Sequence, residues 1–124
     1  MKFMLDANCV INLFSGAFPM LNERIANNVA GDVVLSTIAY AEVALGSENG
    51  KPPSPELLAA FVGEIPLMEF DAAAAHAYAR LPFRRGNFDR LIAAHALSIG
   101  ATVISRNTKD FADVPGLKVE NWTV

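Results

Sequence analysis

The chain has 124 residues, 52% of them apolar, which is enough to build one hydrophobic core and excludes a disordered chain. Its single cysteine, Cys9, excludes an intramolecular disulfide framework and a multi-cysteine zinc site, and suits a reducing compartment. The net charge of −3 hides a division: residues 1–71 carry nine acids and three bases, a net of −6, whereas residues 72–124 carry seven bases and four acids, a net of +3.

The first apolar run, Lys2 to Leu5, reads as a strand and is stopped by Asp6 before a signal-peptide core can form. No run approaches the roughly 18 apolar residues of a membrane span, so a soluble, cytoplasmic protein without membrane contact is expected. Helical patterns follow over 8–15 and 19–30, a strand over 33–35 and a helix over 37–48. Asn49 to Pro55, rich in proline and glycine, reads as a loop inside the domain, not as a boundary. Beyond it come a helix over 55–64, a strand over 67–70, helices over 71–81 and 88–99, a strand over 102–105 and a weaker one over 118–120. Alternating strands and helices predict an α/β fold, with a mostly parallel five-stranded sheet between two helical layers, in a single domain over 1–124. Phe3-Met4-Leu5 and Val33-Val34-Leu35 are apolar throughout, as strands covered on both faces are. In such sheets the chemistry lies beyond the carboxyl ends of the strands.

Three acids sit in apolar surroundings. Asp6 ends the first strand, where an Asp also serves well as a helix cap. Glu42 is the only charge in Ile38 to Leu45, a segment so apolar that a largely buried helix is expected. A carboxylate placed there must be paired, protonated or bound to a cation. Asp89 falls in the first turn of the helix over 88–99, with Asn87 as its cap, a position that the helix dipole also favours. One shared divalent cation accounts for all three. Asn107 or Asp110, after the strand over 102–105, supplies a fourth ligand or an ordinary turn residue. An all-oxygen set suits Mg²⁺, or Mn²⁺, and not zinc.

His95 follows Asp89 by six residues, about 240° around a helix, so the two cannot share a face; His76 lies among alanines, and both read as structural. Cys9 reads as a buried thiol, and no nucleophilic triad is supported. Arg80, Arg84, Arg85 and Arg90 fall within an 11-residue stretch, a cluster able to bind phosphate despite the acidic total.

Leu5-Asp6-Ala7-Asn8, Ala41-Glu42-Val43, the run from Phe88 to Ala96, the run from Ser105 to Phe111 and the close from Pro115 to Trp122 together resemble the PIN-domain ribonucleases, specifically the VapC toxins of bacterial toxin–antitoxin pairs. The resemblance implies Mg²⁺-dependent endonucleolytic cleavage of RNA, with initiator tRNA the expected substrate. Asp6, Glu42 and Asp89 would form the acidic metal centre, with Asn107 beside them and Asp110 as a possible extra acid. Arg84, Arg85, Arg90, Arg106 and Lys109 would then form a phosphate-binding rim. A homodimer and a cognate VapB-type antitoxin are also implied, the antitoxin carrying the contact with operator DNA. The sequence departs from the family at Ala7, where Thr is frequent, at Asn107, where many members have an acid, and in a short stretch from Leu81 to Asn87. Asn107 motivates the rival reading, a PIN-like module that binds RNA or protein without cutting. A response-regulator receiver lacks support: it needs adjacent acids after the first strand, and only Asp6 is there.

Overall fold

A computed structural model describes residues 1–82 and 87–124. The elements run β1 (Phe3–Leu5), α1 (Ala7–Ser15), α2 (Pro19–Ala26), β2 (Val33–Ser36), α3 (Thr37–Glu48), α4 (Pro55–Glu64), β3 (Leu67–Met68), α5 (Ala72–Ala79), α6 (Phe88–Ile99), β4 (Thr102–Ile104), a 3-10 turn (Thr108–Phe111) and β5 (Val119–Glu120). The five strands form one parallel sheet in the order β3-β2-β1-β4-β5. Leu5 is in register with Leu35 on one side and Ile104 on the other.

This order makes β1 the switch point. The chain steps outward from β1 to β2 and β3, then crosses to β4 and β5 on the opposite flank. Right-handed crossovers taken in opposite directions put their helices on opposite faces, which yields the three-layer α/β/α arrangement. A sheet of this kind places its crevice beyond the carboxyl ends of the strands at the switch point, here β1 and β4, and Asp6 follows β1 directly. Met4, Leu5, Val34, Leu35, Val103 and Ile104 are fully buried, as strands sandwiched by helices require.

Differences from the sequence pattern have local causes. The helix expected over 19–30 ends at Ala26, because the Asn28 amide donates to Arg24 O at 2.7 Å and Gly31, at φ +89°, turns the chain toward β2. The strand expected over 67–70 pairs only at Leu67 and Met68; Phe70 N–H donates to Thr37 Oγ1 at 3.2 Å instead of to the ladder. Helix α5 is two residues shorter at its end than the expected 71–81, and the 3-10 turn was not expected. Among the described residues no helix is long and apolar enough to cross a membrane.

Candidate active site

Asp6 leaves β1 in extended conformation and caps α1: its Oδ1 accepts from Cys9 N–H at 2.8 Å. Its own N–H donates to Ile104 O at 3.1 Å, which ties the acid to the end of β4. The residue is 4% exposed, so its charge sits at the bottom of the crevice. The cap occupies only one carboxylate oxygen, which leaves the other for a further partner.

Glu42 lies on a helix less buried than its composition predicts. Helix α3 buries only Ala39, Val43 and Ser47, a stripe at i, i+4 and i+8, and leaves Ala41 and Leu45 exposed. A short sheet edge and neighbouring helices cover one side of α3, and apolar residues outside that stripe remain in water. Glu42 borders the stripe and is half-buried, but its Oε1 is fully buried and has no hydrogen-bond partner among the described residues. Burial first, then the charges of Asp89 and Asp6, pushes its carboxyl up to about 7.

Asp89 occupies the first turn of α6, whose cap is Asn87: Oδ1 accepts from Arg90 N–H at 3.0 Å. Burial, followed by the charges of Asp6 and Asp110, raises its pKa as well. Asp110 is exposed on the 3-10 turn, yet its charge acts on Asp89. Asn107 is exposed and begins that turn without a side-chain cap, its N–H donating to Ser105 Oγ at 3.0 Å. The fold thus gathers Asp6, Glu42 and Asp89 from three separate segments into one electrostatic neighbourhood, with Asp110 at its margin.

The charges of Asp6, Asp89 and Asp110 raise the proton affinity of Glu42 and Asp89, which is what a cation would relieve. The donors are hard carboxylate oxygens, and one of them is buried with no partner among the described residues, so the set fits a divalent ion. Among the described residues, however, no three His, Cys, Asp or Glu side chains stand together as a ready ligand sphere. The fit rests on donor chemistry and on the orphaned Oε1.

The basic rim divides. Arg90 is not available to phosphate, contrary to the sequence expectation. It is 6% exposed, with Nη1 3.2 Å from Asp113 Oδ2 and Nη2 donating to Pro82 O at 2.7 Å. The partner is 23 residues away, so its neighbourhood in the sequence gave no hint of this pairing. Arg106 is exposed, its guanidinium 4.7 Å from the centroid of Phe18, and Lys109 is exposed on the 3-10 turn. Arg84 and Arg85 lie outside the described residues.

The remaining candidates are structural. Cys9 is buried, its thiol donating to Ile104 O at 3.4 Å; burial, then the charge of Asp6, pushes its pKa far above the ordinary thiol range. His95 is 1% exposed and bonds Ser36, and His76 is exposed on α5.

The sequence model of the PIN domain matches residues 3–117. The chain belongs to the PIN-domain family, in its VapC branch. It is 34% identical to the tRNA(fMet)-specific endonuclease VapC of Shigella flexneri over 132 residues, covering 99% of each protein. A chain of VapBC-1 from nontypeable Haemophilus influenzae superposes with a TM-score of 0.84 at 26% identity, covering 100% of both. A chain of DNA-bound VapBC from Salmonella typhimurium does so with a TM-score of 0.81 at 30% identity, covering 98% of each. The PIN fold inferred from the sequence is therefore the fold observed.

Proposed function

We propose that this PIN domain is the toxin of a toxin–antitoxin pair, a cytoplasmic endoribonuclease that hydrolyses RNA phosphodiester bonds with Mg²⁺, or Mn²⁺, held by Asp6, Glu42 and Asp89. Asn107 or Asp110 would complete the set. The observation that carries the reading is the buried Oε1 of Glu42, without a hydrogen-bond partner among the described residues and beside the charges of Asp89 and Asp6. A magnesium ion, when bound, lowers the pKa of water for attack on phosphorus and offsets charge on the phosphate and departing oxygens. The chain's own residues do the positioning. Asp6 is fixed by its cap, by β1 and by the bond to Ile104; Asp89 is fixed by the Asn87 cap; Glu42 faces the crevice from half-exposed α3. Arg106, supported by Phe18, and Lys109 offer cations to the RNA backbone.

The named substrate of the Shigella relative, tRNA(fMet), is the first RNA to test. A VapB-type antitoxin, through which operator DNA would be reached, and a second copy of the chain are the proposed protein partners. Leu45 at 65% exposure, Leu57 at 54% and Phe88 at 54% offer apolar area for such partners to cover. Cleavage of tRNA by the purified chain should require Mg²⁺, stop with EDTA, and disappear in Asp6→Asn and Asp89→Asn. Equal residual cutting in all samples would refute the nuclease reading. Tight RNA binding without cutting would favour the non-cleaving module.

A further inference from the structure

Beneath the acids lies a buried polar junction. Ser36 is fully buried at the end of β2 and caps α3, its Oγ accepting from Ile38 N–H at 3.0 Å. The same Oγ lies 2.9 Å from Nδ1 of His95. The hydroxyl has a proton to donate and a second lone pair to accept with, so it can bond a neutral imidazole in either tautomer. Burial favours that neutral form, against an opposing pull from Asp71, whose own carboxylate caps α5 through Ala74 N–H at 3.0 Å. Thr37, next in the chain, accepts from Phe70 N–H, and the Phe70 ring meets His95 edge-on at 5.6 Å. The ends of β2 and β3 and the middle of α6 therefore meet at one point.

The spacing from this junction to the acids is symmetric. Ser36 precedes Glu42 by six residues along α3, and His95 follows Asp89 by six along α6. Each acid thus stands about 9 Å along its helix from its end of the hydrogen bond. Ser36 meets His95 while the charge of Asp89 acts on Glu42, so the two helices pass in opposite senses. Near the junction α6 presents Ala93, Ala94 and Ala96 to the interior. Small side chains form shallow ridges that resist sliding poorly, and a single buried polar contact can fix a register that they leave loose.

We propose that the Ser36–His95 hydrogen bond sets the register of α6 against α3 and with it the separation of Glu42 and Asp89, making His95 a positioning residue of the active site. This rests on the metal-site reading above. Its test uses Mn²⁺ as the probe, with binding followed by electron paramagnetic resonance beside thermal melting and RNA cleavage. His95→Phe keeps a ring against Phe70 and removes the bond, Ser36→Ala removes it from the other side, and His95→Asn returns a hydrogen-bonding group close to the Nδ1 position. Both bond-breaking variants should bind Mn²⁺ about 10-fold to 100-fold more weakly, the range found when groups that orient metal ligands are lost. Their kcat should fall with KM for RNA unchanged, and His95→Asn should recover most of both losses. A folded His95→Phe or Ser36→Ala protein with wild-type Mn²⁺ affinity and kcat would overturn the proposal. Should His95→Phe not fold, Ser36→Ala decides by the same readouts. Failure of the metal reading itself has a different signature, equal Mn²⁺ binding by the wild type and Asp89→Asn, and that result overturns both.

Discussion

Helices α3 and α6 have the same length, 12 residues, and each carries one carboxylate of the candidate centre, yet the fold holds them differently. Helix α6 buries Arg90 and every residue from Ile92 to Ala96, and it is closed by Asn87 at one end and Gly100, at φ +68°, at the other. Helix α3 buries a three-residue stripe and leaves Leu45 in water. Their carboxylates nevertheless share one condition, proton affinity raised by burial and by each other's neighbours. The surroundings of each carboxyl are thus set by its own burial and by the acids near it, on helices buried to different depths. One rigid and one half-exposed helix also give the centre a fixed wall and a wall open to partners.

The most severe test of that equivalence is catalytic. Glu42→Gln and Asp89→Asn should each lower kcat for RNA cleavage by roughly 100-fold to 1,000-fold, as losing several kcal/mol of transition-state stabilisation does. A large loss in one and none in the other would break the comparison. The structural contrast is tested by truncation: Ile92→Ala in α6 should cost about 2–4 kcal/mol of unfolding free energy, and Leu45→Ala in α3 about 0.5 kcal/mol or less, both read from denaturant melts.

The two ends of the basic rim should separate in a similar way. Arg90→Ala removes the ion pair with Asp113 and the hydrogen bond to Pro82 O and should destabilise the fold by about 2 kcal/mol, less than loss of a fully buried pair because the Asp113 side chain keeps 34% exposure. Arg106→Ala should leave the melting temperature nearly unchanged and reduce the salt dependence of RNA binding by about one phosphate contact. A pH effect tests the acids themselves. The Glu42 carboxyl has a folded pKa near 7 against an ordinary 4.5, so the folded state holds that proton more tightly. Its contribution to stability is full below about 4.5 and is lost as pH rises through about 7. Without divalent ions, the wild type should therefore lose more melting temperature across that interval than Glu42→Gln does, and added Mg²⁺ should reverse the loss.

Much of this was legible in the residues. Short apolar runs marked four of the strands and a weaker pattern the fifth, and the alternation with helices predicted the parallel sheet that is observed. Asp6 and Asp89 could be assigned to a strand end and a first helical turn because those positions are defined by local pattern. Tertiary pairing was not legible. Arg90 looked like a free cation because its neighbours in the chain are basic, while Asp113 and Pro82 O, which satisfy it, come from elsewhere. The burial of α3 was overestimated because composition does not reveal which side of a uniformly apolar helix is covered. The Ser36–His95 bond spans 59 residues and leaves no periodic trace in the sequence.

Calorimetric titration of Mg²⁺ into the metal-free chain, at a pH above the Glu42 value of about 7, addresses the convergence of the acids most directly. The account predicts one saturable site in the wild type, weakened in Asp6→Asn, Glu42→Gln and Asp89→Asn alike. Identical isotherms for the wild type and the three variants would contradict it.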